Sequence, residues 1–241
     1  MLHLTLFFYP GARQSAAVAV EFGANFIPMC NLYDIGTSHH RKNDEWEAAV
    51  SKAIGEFRKT HGIRKTDPGM VVTLGDSGPG AKVMRWGYQR SFNPAVNNAR
   101  SDKLDGMWSE SWQARRRCLI PVQTFYEWTG STGKKQTFAF EADDPESRLW
   151  AAGIWEPGDD EPAYSMLTTS ASESISPIHD RMPALLSPKN FEEFLTSEDP
   201  RDLLTPTNGG VEIYRCENPL SNPGEHTGPV RQDLLPGFDG I

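Results

Sequence analysis

Four short stretches of this 241-residue chain gather the residue types that do chemistry: Met29-Cys30-Asn31-Leu32-Tyr33, Asn98-Ala99-Arg100-Ser101, Phe125-Tyr126-Glu127-Trp128 and Ile178-His179-Asp180-Arg181-Met182-Pro183. Cys30 is a candidate nucleophile, and Glu127 and His179 are candidate proton-transfer groups. Asn98, Arg100 and Arg181 carry donors suited to oxygen-rich or anionic partners. Each also has a plain structural reading. A lone cysteine is more often a small buried hydrophobe than a nucleophile. Glu127 reads equally as a strand residue facing solvent, and His179 as a turn residue paired with its neighbours. Asn98 and Arg100 suit a turn or an edge strand, and Arg115-Arg116-Arg117 is more often a solvated run than a phosphate clamp. No single stretch decides the matter.

Composition narrows the field. Hydrophobic residues make up 38% and charged residues 23%, the balance of a soluble globular chain. No apolar run approaches the roughly 20 residues of a membrane helix. Cys30, Cys118 and Cys216 are the only cysteines and include no C-x-x-C pair, which argues against a disulfide framework or a structural zinc site. A reducing, cytoplasmic compartment is expected, nucleoid-associated if the source is bacterial. The net charge of -8 looks wrong for a nucleic-acid binder. Its distribution is less so: residues 82–117 hold eight basic and three acidic residues, net +5, whereas residues 143–161 hold seven acidic and one basic, net -6. One basic face is the expectation, with a mixed solvated surface as the plain alternative.

The elements that must position these residues are mostly strands. Strand-like runs fall at 82–88, 118–122, 125–128, 136–141, 149–155, 164–169 and 211–215, separated by Gly- and Pro-rich turns. Residues 43–62 read as an amphipathic helix, with Asn43 as cap and Trp46, Val50, Ile54 and Phe57 at helical spacing. A second helix suits 188–195, with Ser187 as cap and Pro188 in the first turn. Residues 1–28 lack the basic start and long apolar core of a secretory signal and read as a removable leader or a start codon placed too early. The expected domain is 29–222, followed by a tail over 223–241. The fold class is α+β: one strand-dominated domain of barrel-like antiparallel sheets with flanking helices.

Taken together, the stretches resemble the SOS-response-associated peptidase family, whose members act on abasic sites. The resemblance runs through Met29-Cys30, Arg85-Trp86-Gly87, Asn98-Ala99-Arg100, Arg116-Arg117-Cys118-Leu119-Ile120-Pro121 and the Phe125-to-Trp128 run. Ala152-Gly153-Ile154-Trp155, Thr168-Thr169 and His179-Asp180-Arg181-Met182-Pro183 complete it. What it implies is a thiol-dependent enzyme, with peptidase and lyase-like activities, whose methionine is removed so that Cys30 becomes the first residue. The amine of that cysteine then attacks the aldehyde of a ring-opened abasic sugar, and its thiol closes a thiazolidine. An α-amine suits this step: with a pKa near 7.8 about one in seven is neutral at pH 7, against about one lysine in 2,500. The resemblance casts Cys30, Asn98, Glu127 and His179 as catalytic, and Arg85, Trp86, Arg100 and Arg181 as DNA-binding. Trp86 would stack beside the lesion, although a core tryptophan is an equal reading. The implied partner is single-stranded DNA containing abasic sites, bound by a monomer without metal, organic cofactor or membrane.

Three features depart from the pattern. Residues 1–28 would leave Cys30 with an amide in place of a free amine, unless translation starts at Met29 or the chain cleaves itself before Cys30. Asn31-Leu32 stands where many members have Gly-Arg. Asp67-Pro68-Gly69-Met70 stands where they often have Asn-x-x-Pro near a DNA wedge. Three other readings stay open: a cysteine hydrolase of the N-terminal-nucleophile kind, a non-catalytic binder of modified single-stranded DNA, and a structural or partner-binding domain.

Overall fold

The computed structural model describes residues 31–36, 44–131, 134–207 and 209–221. The chain runs through β1 (Leu32–Asp34), α1 (Glu45–Ile54), β2 (Ile63–Arg64), β3 (Pro68–Gly75), β4 (Gly78–Trp86), β5 (Tyr88–Arg90), β6 (Asn93–Val96) and β7 (Asn98–Arg100). It continues with α2 (Ser109–Gln113), β8 (Arg117–Val122), β9 (Thr124–Thr129), β10 (Gln136–Ala142), β11 (Leu149–Glu156), β12 (Ala163–Ser170), β13 (Arg181–Pro183), α3 (Phe191–Thr196) and β14 (Val211–Cys216).

The larger sheet has the order β11-β8-β3-β4-β12, and β12 pairs back onto β11, so five strands close into a ring. Closure explains the sequence of these strands. β8 is buried at every residue, and β12 at all but its last, as expected where one face lines a core and the other is covered. The second sheet, β14-β10-β9-β1-β2, is antiparallel throughout. The expected α+β, strand-dominated barrel is therefore present. It departs from the antiparallel expectation at one strand: β12 runs parallel to β4 at residues 163–164 and parallel to β7 at residues 166–168.

The helices are shorter than the sequence periodicity implied. Asp44 caps α1, its Oδ1 accepting from the Trp46 and Glu47 N–H groups at 2.8 and 3.4 Å, and the helix stops at Gly55 rather than Gly62. Asn43, the expected cap, lies outside the described residues. Trp46 and Val50 are buried as the spacing required, and so is Glu47. Glu47 accepts from Arg148 Nε with both oxygens at 2.9 Å, and Arg148 also donates to the Ile35 carbonyl at 2.8 Å, joining α1 to β11 and to the chain after β1. Burial raises the Glu47 carboxyl, and Arg148 pulls it back toward the charged form. The second helix divides into a 3-10 turn over Pro188–Asn190 and α3, and Ser187 makes no side-chain capping bond.

Asp67 precedes β3, and Pro68-Gly69-Met70 form its first three residues. A Cβ on Gly69 would lie 2.0 Å from Tyr164 Oη and 2.5 Å from Tyr33 Oη, so only glycine lets the two tyrosines meet there. Their hydroxyls are hydrogen-bonded to each other, and Tyr33 packs edge-on against Trp86 at 4.9 Å. This contact docks β1 of one sheet onto β4 and β12 of the other.

Candidate functional site

β12 organises the site by pairing with two short segments that carry chemistry. On one side β7 sets Asn98 beside Met166 and Arg100 beside Thr168; on the other, β13 sets Arg181 beside Ser170. Asn98, Arg100, His179 and Arg181, which span more than 80 positions of sequence, are thereby gathered around one strand.

Within this group Asp102 ties the arginines together. Arg100 grips it with Nε and Nη2 at 3.0 and 2.8 Å, and Arg181 Nη1 lies 3.6 Å from its Oδ1. The Arg100 hydrogen bonds hold the Asp102 carboxyl at about 2. Arg181 is further fixed by donating from Nε to Thr168 Oγ1 at 3.1 Å and from Nη2 to the Thr168 carbonyl. Burial, followed by repulsion from Arg100, lowers Arg181, so this cation is short of compensating charge. The Asp180 carboxylate also acts on both guanidiniums, so the pair offers a phosphodiester planar donors rather than excess charge.

His179 is 9% exposed. Its Nδ1 accepts from the Arg181 N–H at 3.0 Å, which assigns the proton of the neutral ring to Nε2. The exposed Asp180 carboxylate also lies 3.0 Å from Nδ1 and is a ready partner for the protonated ring. The imidazole is thus held at one nitrogen in either charge state.

Glu127 reaches the site from the second sheet. It is 2% exposed, which removes the reading that it faces solvent. It sits on β9, whose antiparallel register with β1 pairs Tyr33 with Phe125 and Asp34 with Thr124. Carried two residues back along β1, that register sets Asn31 opposite Glu127. Asn31 in turn accepts from Asn97 Nδ2 in a long contact of 3.5 Å, one residue before Asn98. The start of the described chain therefore lies between the strand of Glu127 and the strand of Asn98. Cys30 itself lies outside the described residues.

β1 is held firmly in that position. Asp34 accepts from the Gly62 N–H at 2.6 Å and from Tyr126 Oη at 2.8 Å, with His61 Nδ1 3.6 Å away. The Asp34 carboxylate raises the His61 imidazole above its usual value, against the opposing effect of burial.

Two expected DNA contacts serve the framework instead. Trp86 is fully buried between Tyr33 and Tyr164 with its indole N–H donating to the Asn97 carbonyl at 2.9 Å, so it has no face to offer a base. Its role is to support the Asn97-Asn98 backbone from beneath. Arg85 donates to the Gly87 and Pro94 carbonyls and lies 3.9 Å from Glu161, which fastens the β5–β6 hairpin. Conversely, Asp102 and Asn97 carry no signal of their own in the sequence beyond lying next to the Asn98-to-Arg100 run. Among the described residues there is no group of three or more His, Cys, Asp or Glu arranged to hold a metal ion, and no helix long and apolar enough to cross a membrane.

Comparison with known proteins places this arrangement. The family model described as "SOS response associated peptidase (SRAP)" matches residues 29–223. The abasic site processing protein YoqW of Bacillus subtilis is 26% identical over 188 residues, covering 70% of this chain and 84% of YoqW. The abasic site processing protein HMCES of Gallus gallus is 32% identical over 137 residues, 43% of this chain and 41% of HMCES. A crystal structure of a protein from Bordetella bronchiseptica superposes with a TM-score of 0.63 at 20% identity, covering 78% of this chain and all of that one.

Proposed function

The chain belongs to the SOS response associated peptidase family, and from that premise we propose that its mature form captures abasic sites in single-stranded DNA as a covalent thiazolidine on Cys30. The observation that carries this reading is the anchoring of Asn31. It is tied to Asn97 and runs into a strand paired with β9, so the described chain begins between the strand of Asn98 and the strand of the buried Glu127. The names of YoqW and HMCES as abasic site processing proteins fit the same substrate.

The chemistry balances with no added reagent. The neutral α-amine of Cys30 adds to C1′ of the open-chain sugar aldehyde, and loss of one water gives an imine. The thiol then adds to the imine carbon, forming the C–S bond while its proton passes to nitrogen. The five-membered ring requires amine and thiol on adjacent carbons, which only an N-terminal cysteine provides. Glu127 relays protons during ring opening and imine formation, and His179 acts as the second acid–base group. Asn98 positions the sugar. Arg100 and Arg181 hold the flanking phosphates, the phosphodiester competing with Asp102 for their donors. A single strand presents the lesion unpaired, which avoids a base-flipping cost of a few kcal/mol. The free amine arises by translation from Met29 and methionine removal, or by cleavage before Cys30.

Intact-mass analysis of the protein expressed from its native start region, before and after mixing with abasic single-stranded DNA, tests the reading. The expected mass begins at Cys30 and then rises by one DNA strand less one water. Glu127→Gln slows adduct formation without abolishing DNA binding, and Cys30→Ala forms no adduct. Retention of residues 1–28 with no mass shift overturns the proposal. So does an adduct that persists in Cys30→Ala.

A further inference from the structure

A cavity of about 160 Å³ lies between β3, β4, β8, β11 and α3, and shares no residue with the site above. Its walls include Thr73, Lys82, Arg115, Arg117, Trp155 and Thr196. We propose that it binds a tetrahedral oxyanion of phosphate type, seated on Arg117 and closed over by Lys82 and Arg115.

The floor is unusual. Arg117 is 2% exposed, yet no carboxylate pairs with it among the described residues. Its Nη1 donates to the Phe194 and Ser197 carbonyls and its Nη2 to those of Trp112 and Glu198, at 2.6 to 3.4 Å. That leaves Nε buried with no hydrogen-bond partner. A buried donor without a partner carries a desolvation penalty that a ligand oxygen removes.

The rim adds charge with nothing to balance it. Lys82 and Arg115 are exposed and form no ion pair among the described residues; Lys82 Nζ rests 5.6 Å from the centre of the Trp155 ring. Arg115 adopts a left-handed backbone, φ 53°, pinned by its N–H to the Trp112 carbonyl. Three nearby carboxylates are committed elsewhere: Glu110 to Arg116 at 3.0 Å, Glu156 to Arg90 at 2.8 Å, and Asp199 to Arg201 and Trp112 at 3.1 Å. Burial lowers Arg117 to about 10, with Asp199 opposing and Arg115 adding to the fall. Three cations, one of them buried with an open donor, select an anion with several oxygens. The volume admits one phosphate group with a few waters.

The phosphate can be a free ion or small ester, or a phosphodiester of a bound nucleic acid. Thermal unfolding in sodium phosphate, against sodium chloride at matched ionic strength, tests the site. Phosphate is expected to raise the melting temperature by about 2–4 °C. The double variant Lys82→Gln/Arg115→Gln is expected to unfold at the wild-type temperature in chloride and to lose the rise in phosphate. An equal rise in the double variant, or none in the wild type, overturns the proposal. The salt dependence of single-stranded DNA binding then separates the sources. A slope shallower by about two in the double variant assigns the phosphate to nucleic acid, and an unchanged slope assigns it to a free anion. Both measurements run equally on Cys30→Ala, so they do not depend on the crosslinking chemistry.

Discussion

Arg117 and the Arg100–Arg181 pair lie in one strand-built domain and are held in opposite ways. Arg117 is buried and bonded to four backbone carbonyls, three around the end of α3 and one, that of Trp112, in α2. Arg100 grips the half-exposed side chain of Asp102, which Arg181 also faces while keeping one backbone carbonyl, that of Thr168. A carbonyl held in the backbone cannot leave, so four of Arg117's donor contacts belong to the fold. A carboxylate on a short side chain at the surface can be displaced by a phosphate of the same charge. What marks a cation as available is the mobility of its partner rather than its own exposure, since Arg181 is as shielded as Arg85.

The largest effect expected from this contrast is structural. Arg117→Ala strips donors from four backbone carbonyls, two of them in buried contacts, and should cost about 3 kcal/mol, read as a fall in the urea midpoint. Arg117→Lys should recover only part of the loss, because an ammonium cannot span the same carbonyls. Next come Arg100→Gln and Arg181→Gln. Each should weaken single-stranded DNA binding whatever the sequence and reduce its salt slope by about one. Arg100→Gln should cost under about 1 kcal/mol of stability, because its ion pair is exposed. Loss of stability with unchanged binding would place these residues with Arg117 and break the comparison.

Asp102→Asn should act the other way, tightening binding a few-fold and steepening its salt dependence by freeing both guanidiniums. Acidification does not mimic this variant near neutrality. The folded carboxyl lies at about 2 against an ordinary 3.8, so its contribution is present above 3.8 and lost only as pH falls toward 2. The smallest effect concerns His61, whose charge is conditional. Its imidazole is raised by Asp34, so the stabilisation is fully present below 6.5 and fades as pH rises through the folded value. His61→Gln should flatten that change by a few tenths of a kcal/mol, measured by urea unfolding on either side of the imidazole range.

Much of the architecture was legible because each strand announces itself locally. The runs at 118–122, 136–141 and 149–155 differ from β8, β10 and β11 by only one residue at an end. The helix over 43–62 was overread because Phe57, at helical spacing, is buried by the loop after α1 and not by the helix. β7 and β13, three residues each, were too short to show periodicity, although they carry Asn98, Arg100 and Arg181. For the candidate site, the motif runs singled out Arg100, Arg181 and His179, which the structure gathers around β12. They could not separate Trp86 from a stacking residue, since burial between Tyr33 and Tyr164 is decided by residues far off in the chain. Nor could they separate Arg117 from Arg115 and Arg116, because only the position of α3 draws one of the three inside.

The parallel pairings of β12 have a consequence for the order of events in folding. Thr168 meets Ala99 across 69 residues, and Tyr33 meets Tyr164 across 131. Local contacts alone build neither the seat for Asn98 nor the dock for β1. A nascent chain that has emerged only as far as β11 cannot gather these residues, however complete its first hairpins. Such long loop closures fold slowly, so competence for DNA should trail the burial of the aromatic core in a refolding experiment. The gathering of Asn98, Arg100 and Arg181 around β12 is in this sense a late product of the ring's closure.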